Sequence, residues 1–235
     1  MIKGKGISMR TAALIAGLPV FLPNAPYGEF YVFGKLINYH DAAQTTQNLI
    51  HHPSLFLFGI LAVFFNFVIW DIVLAWAVYI FLRPANPHLS LLVAWFRLIF
   101  AVLGIVALFN FLFALHVANL PGIDETYRQQ QVLQLVNQRK FAMNIAYLFF
   151  GFFLFLEGIL ICKASYIPKV IGALILLAGP AWMIIGLQPY FFKGYNLSWV
   201  MFFAIGELVF GIWLLIKGTR IKETELIALE SKQNQ

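Results

Sequence analysis

The chain has 235 residues, of which 61% are hydrophobic and 11% are charged, and its mean hydropathy is +0.82. Soluble domains are about 45–50% apolar and about 25% charged, so this composition excludes a soluble enzyme, a disordered chain and a disulfide scaffold. The net charge of +6 is explained by basic residues in cytoplasmic loops, which orient a membrane protein, and the sequence contains no nucleic-acid-binding module.

The first apolar segment lies between Arg10 and Glu29, where 18 residues carry no charge. Pro19 and Pro23 interrupt its apolar part, so we expect a bent first membrane span. The alternative is a cleaved signal peptide, with a basic region ahead of a short apolar core. The polar stretch that follows predicts a surface helix over 42–51, with Asp41 as its N-cap.

Five further apolar segments are long enough to cross a bilayer, because a spanning helix needs about 20 apolar residues. They are expected at 54–83, 89–120, 141–162, 170–192 and 198–216. Between the third and fourth spans, a polar segment over 124–140 predicts a second surface helix that leads into the fourth span. The sequence therefore predicts an all-α bundle of about six transmembrane helices. It forms a single transmembrane domain over 1–218, followed by a charged tail over 219–235.

The distribution of basic residues predicts the orientation of this bundle. Six spans place both chain ends on one side of the membrane. Of the 16 Lys and Arg residues, ten fall on that side, five fall on the other side and Arg97 falls within a span. Because basic loops stay in the cytoplasm, we expect both termini there.

Short motifs in a fixed order extend over nearly the whole chain. They are Asp41-Ala42-Ala43, Leu82-Arg83-Pro84, Phe96-Arg97-Leu98, Phe149-Phe150-Gly151, Tyr166-Ile167-Pro168, Gly206-Glu207-Leu208, Trp213-Leu214-Leu215 and Lys217-Gly218. In this order the motifs resemble a bacterial family of integral membrane proteins, domain-of-unknown-function family 4386. The resemblance implies a bundle of about six spans in a bacterial inner membrane, and it implies no activity. Asp71 and Glu157 depart from the family's pattern.

Four ionisable side chains lie inside the predicted spans. They are Asp71, Arg97, Glu157 and Glu207. An isolated charge at the bilayer centre costs about 2.5–3.5 kcal/mol on insertion scales, so we expect all four to face the bundle interior. The stripe of Arg97 carries small residues that let another helix approach closely. Glu207 shares a helical stripe with Val200, Phe203 and Gly211. We expect Arg97 to pair first with Glu207 and second with Glu157, because a guanidinium binds carboxylates bidentately.

This cluster of charges has two interpretations. It is either a structural ion pair that fixes helix register, or a pathway for a proton or a small-molecule substrate. One arginine among three carboxyl groups leaves two excess acids, and desolvation is expected to keep at least one of them protonated near neutral pH. The second interpretation predicts a small transporter or permease-like protein.

Histidines on the predicted outer side give a different hypothesis, a membrane-embedded metal, haem or redox enzyme. They are His40, His51, His52 and His116. Their spacing matches no ligand pattern, because consecutive residues such as His51 and His52 point apart on a helix. A third hypothesis is a structural or accessory membrane subunit. The sequence contains none of the common catalytic motifs, and it defines neither a cofactor nor an oligomeric state.

Overall fold

The computed structural model describes residues 7–21 and 27–221, and within them the chain is helical with no β-strand. We number the longer helices in chain order. They are α1 (Met9–Gly17), α2 (Ala42–His51), α3 (Pro53–Leu82), α4 (Pro87–Ala118), α5 (Glu125–Lys163), α6 (Lys169–Phe191) and α7 (Ile205–Ile216). The predicted all-α fold is therefore confirmed.

Short irregular helical turns connect or interrupt these helices. The 3₁₀ turns are Leu18–Phe21, Ser198–Ala204 and Gly218–Arg220. A π-helical segment, Tyr27–Phe33, continues into the short α-turn Gly34–Leu36, and a second π-helical segment, Asn66–Ile72, lies inside α3.

Five helical segments of the described chain are long and apolar enough to cross a membrane. They are Pro53–Leu82, Pro87–Ala118, Glu125–Lys163, Lys169–Phe191 and Phe202–Arg220. On α4 a stripe of large apolar side chains is exposed at helical spacing, namely Val102, Val106, Phe109 and Phe113. Water solvates such a stripe poorly, whereas lipid chains solvate it well. The protein is therefore an integral membrane protein, and its environment is a lipid bilayer.

The first predicted span is only partly covered by the structure. Helix α1 has 9 residues and is too short to cross a bilayer alone, and residues 22–26 lie outside the described residues. A sixth span, the signal-peptide alternative and the cytoplasmic position of both termini thus stay predictions. The charged tail lies outside the described residues from position 222 onward.

The first predicted surface helix is confirmed as a helix of its own, and the second is observed as the first part of a longer helix that leads into the next span, as expected. Asp41 caps α2, where its carboxylate accepts a hydrogen bond from the backbone N–H of Gln44 at 2.8 Å. By contrast, α5 runs without interruption from Glu125 to Lys163. Neither glycine nor proline occurs in its first 26 residues, so nothing in the backbone ends the helix where the polar part meets the apolar part.

The described chain divides into two units. Unit 1 contains residues 7–21, 72–99 and 147–221, and unit 2 contains residues 27–71 and 100–146. Helices α3, α4 and α5 each contribute one part to each unit. The single transmembrane domain expected over 1–218 stays a prediction.

In unit 1, α5 and α6 pack through glycines that are seven residues apart on each helix. These glycines are Gly151 and Gly158 on α5, and Gly172 and Gly179 on α6. Seven residues make about two helical turns, so each pair lies on one face. A Cβ atom on Gly158 would lie 2.5 Å from the backbone nitrogen of Leu176. The two backbones are therefore in direct contact, as small residues permit in membranes.

Two more glycines bring α7 and α1 into unit 1. A Cβ atom on Gly206 of α7 would lie 2.8 Å from the carbonyl carbon of Leu174 on α6. A Cβ atom on Gly17 of α1 would lie 2.9 Å from the carbonyl oxygen of Gly211 on α7. These close approaches, together with the packing of α1 against α3, place the inward faces of the unit's helices around one cavity.

In unit 2, the π-helical segment Tyr27–Phe33 packs against α3. Gly28 permits this contact, because a Cβ atom there would lie 2.9 Å from the carbonyl oxygen of Gly59. The core behind the contact is aromatic, with ring centroids 4.7–5.5 Å apart, and consists of Phe33, Phe56 and Phe111.

Candidate functional site

The cavity of unit 1 has a volume of about 340 Å³, within the range of about 300–1,000 Å³ that is usual for ligand pockets. All of the unit's helices contribute to its wall, which is mostly apolar. Three ionisable side chains interrupt this apolar lining: Arg97 of α4, Glu157 of α5 and Glu207 of α7. The fold thus brings three of the four predicted intramembrane charges to one wall.

Helix α5 presents two phenylalanines and Glu157 on a single face. Phe150 and Phe153 precede Glu157 by seven and four residues, which aligns the three side chains along the helix. Glu157 is only 3% exposed. The charges of Arg97 and Glu207 both act on it, Arg97 by attraction and Glu207 by repulsion.

Arg97 is held against that face of α5 by aromatic rings. Its guanidinium carbon lies 4.6 Å from the ring centroid of Phe153 and 5.6 Å from that of Phe150. Each cation–π contact is worth about 0.5–2 kcal/mol, with the larger values in desolvated sites. The rings stabilise the cation in an apolar wall.

Glu207 has a hydrogen-bond partner that the sequence did not predict. The indole N–H of Trp182, on α6, donates to Oε1 of Glu207 at 2.8 Å. The ring of Trp182 packs against Tyr147 and Phe150, with both centroid distances 5.1 Å. The one available signal was chemical, since a tryptophan inside an apolar span needs an acceptor for its N–H group.

The fourth predicted charge belongs to unit 2. Asp71 is 4% exposed and lies in the π-helical segment of α3. There the side-chain amide of Asn66 donates to its Oδ2 at 3.4 Å. An extra residue per turn in such a segment redirects side chains, and π-bulges are frequent at functional sites.

The predicted inward stripe of Arg97 agrees with the observed burial, whereas that of Glu207 agrees only in part. The small residues of the Arg97 stripe are all buried: Ser90, Ala94, Ala101 and Gly104. On the Glu207 stripe, Val200 and Gly211 are buried but Phe203 is 38% exposed, so its assignment was wrong. Phe203 lies in the 3₁₀ turn Ser198–Ala204, where three residues per turn shift the side chain off the α-helical stripe.

Among the described residues, the histidines do not have the geometry of a metal site. The four outer histidines are all exposed: His40, His51, His52 and His116. Within 7–21 and 27–221, no three His, Cys, Asp or Glu side chains come together as a metal site would require. The metal, haem or redox alternative stays a prediction.

Unit 2 contains an ion pair that the sequence did not reveal. Arg139, one of the five basic residues expected on the outer side, is only 6% exposed and pairs with Glu29. Its guanidinium lies over the rings of Phe111 and Phe33, 4.8 and 5.6 Å from their centroids. The charge of Arg139 also acts on Tyr39. Burial raises the pKa of Tyr39 above its usual 10.0, against the lowering effect of the Arg139 charge.

Comparison with known proteins identifies relatives but no activity. The model of a family described as "Domain of unknown function (DUF4386)" matches residues 23–218, which include all three ionisable residues of the cavity wall. A protein of Archaeoglobus fulgidus, titled "Uncharacterized protein", is 32% identical over 159 residues, which cover 68% of this chain and 83% of that protein. No solved structure matches the chain. The resemblance seen in the sequence is confirmed, and the chain belongs to the DUF4386 family.

Proposed function

We propose that the protein is a small transporter or permease-like membrane protein, and that the cavity of unit 1 binds and releases a proton, alone or with a small solute. One observation carries the proposal: Arg97, Glu157 and Glu207, from three different helices, line one cavity of about 340 Å³. Ionisable residues inside a membrane domain are costly and usually mark pathways for protons, ions or substrates.

The charges on the cavity wall support proton or cation binding. One guanidinium and two ionised carboxylates carry a net charge of −1, and the cluster becomes neutral when one carboxylate takes up a proton. A small cationic solute would neutralise it equally well. Because charge interactions are strong in a medium of low dielectric constant, proton binding and cation binding should compete. Exchange between the two is the basis of proton-coupled transport.

Each side chain has a separate role in this proposal. Glu157, the most deeply buried of the three, is the proton carrier. Glu207 is held in place by Trp182, and Arg97, held by two phenylalanine rings, is the fixed countercharge. Asp71 supplies a further buried carboxyl group in unit 2. The bacterial inner membrane, implied by the family resemblance, is the proposed location.

The experiment is a proton-flux assay in liposomes that contain the purified protein and an internal pH-sensitive dye. A potassium diffusion potential drives protons inward. We expect flux above that of empty liposomes for the wild type and background flux for Glu157→Gln. Glu125→Gln is the matched control, because Glu125 is 48% exposed in a surface pair, and it should match the wild type.

The structural interpretation of the same charges makes the opposite prediction. It is favoured by the rigid aromatic contacts of Arg97 and by the hydrogen bond of Glu207, since buried ion clusters can specify packing. In that case the wild type shows only background flux under all gradients, while Glu157→Gln and Glu207→Gln lower the melting temperature. That result contradicts the transport proposal.

A further inference from the structure

A second cavity lies in unit 2, with a volume of about 380 Å³ and a predominantly polar wall. The wall comes from the turn Gly34–Leu36, the loop over 37–40, α2 and α5. Two lysines, Lys35 and Lys140, lie on it together with His40. No carboxyl group occurs among the described side chains that line it. We propose that this cavity binds the phosphate group of an anionic ligand; the inference is independent of the function proposed for unit 1.

Hydrogen bonds within the wall leave it rich in donors. The side-chain amide of Asn38 donates to Oε1 of Gln44 at 2.7 Å, and Oδ1 of Asn38 accepts from the backbone N–H of His40 at 3.0 Å. The amide oxygens of both residues are thus used within the wall. The amide N–H groups of Gln44 and the ammonium groups of the two lysines are donors, which suit a phosphate with several acceptor oxygens.

Two acidic groups of unit 2 that lie close to the wall residues in sequence already have partners. Asp41 caps α2 through the backbone N–H of Gln44, and Glu29 pairs with Arg139. Lys140 follows Arg139 directly, and its Nζ atom lies 5.0 Å from the ring centroid of Tyr39. The wall therefore fixes one ammonium group on a ring and carries a positive charge that an anion can neutralise.

The position of the lysines along the chain matches the level of lipid headgroups. Lys140 is the last residue before the apolar part of α5 at 141–162, and α2 ends immediately before α3 enters the apolar segment. Basic side chains at such junctions attract anionic lipids. The phosphate can thus belong to an anionic phospholipid, such as phosphatidylglycerol, or to a soluble phosphate compound.

The test measures binding of short-chain phosphatidylglycerol, short-chain phosphatidylcholine and inorganic phosphate to the full-length protein in neutral detergent. We compare the wild type with Lys140→Gln, with the double variant Lys35→Gln/Lys140→Gln, and with Lys193→Gln, which removes an exposed lysine of unit 1. We expect losses of about fivefold for the single and about 25-fold for the double variant, the usual effect of one and two basic side chains near anionic headgroups. Lys193→Gln should bind like the wild type.

The outcomes separate the two sources of phosphate. Binding of phosphatidylglycerol without competition by inorganic phosphate supports a lipid headgroup, and competition supports a soluble phosphate compound. Melting temperatures identify any variant that fails to fold, and Lys35→Arg/Lys140→Arg should retain binding because it keeps both charges. The proposal is overturned if the double Gln variant, folded like the wild type, binds phosphatidylglycerol and inorganic phosphate as well as Lys193→Gln does. Absence of binding to the wild type also overturns it.

Discussion

The hydrogen bond between Trp182 and Glu207 allows the charge of Glu207 to be measured through stability. Trp182→Phe removes the indole N–H that lies 2.8 Å from Oε1 of Glu207. It keeps an aromatic ring against Tyr147 and Phe150, whose ring centroids lie 5.1 Å from that of Trp182 in the wild type. The substitution therefore removes mainly one hydrogen bond.

The size of the effect depends on whether Glu207 is ionised. A hydrogen bond to a charged group contributes about 1.5–3 kcal/mol, whereas neutral bonds between membrane helices average about 0.6 kcal/mol. In the charge balance proposed for the cavity, Glu207 is an ionised carboxylate. We therefore expect Trp182→Phe to cost about 1.5–3 kcal/mol in the wild type and about 0.6 kcal/mol in the Glu207→Gln background, where the acceptor is neutral.

The assay is reversible unfolding in mixed micelles, performed on the two single variants and the double variant. Trp95→Phe is the matched control, because Trp95 is 56% exposed, and it should leave the free energy of unfolding unchanged. If Trp182→Phe costs the same in both backgrounds, Glu207 is not an ionised acceptor and the charge balance of the cavity is wrong.

Two further predictions concern helix packing and Tyr39. Gly158→Ala should lower the free energy of unfolding by about 1–3 kcal/mol, because the new Cβ atom would lie 2.5 Å from a backbone nitrogen of α6. The control Gly34→Ala should not lower the melting temperature, because its Cβ atom would have its nearest neighbour at 3.9 Å. Equal losses of stability in the two variants would contradict the close packing of α5 and α6. In an alkaline absorbance titration of the folded protein, Tyr39 should ionise above pH 10, and this step should be missing from Tyr39→Phe. Because burial raises this pKa in the folded state, the stability it contributes is present below pH 10 and is lost as pH rises through the folded value. Identical titration curves for the wild type and Tyr39→Phe would contradict the raised pKa of Tyr39.

The helices could be predicted from sequence wherever length and hydropathy alone decide them. The span expected over 54–83 is observed as Pro53–Leu82, because a long apolar run has no stable alternative to a helix in lipid. The buried stripe of Arg97 was also predictable, since its small residues mark a face where another helix approaches. Similar reasoning failed for Phe203, because a 3₁₀ turn replaces the α-helical periodicity there.

Contacts between residues distant in sequence could not be predicted in the same way. Whether Trp182 meets Glu207 depends on how α6 and α7 are rotated about their axes, which the close approach at Gly206 fixes. Arg139 and Glu29 are 110 residues apart, and the sequence around either residue contains no pattern that predicts their ion pair. Composition therefore identified the charged side chains of the membrane domain but left their partners open.

The most direct test of the proposed function is proton flux through liposomes that contain Glu157→Gln, measured together with the melting temperature of the same preparation. The proposal predicts flux for the wild type, background flux for Glu157→Gln and similar melting temperatures for both proteins. Equal flux for both proteins, or none for either, would contradict the claim that Glu157 carries protons through this cavity.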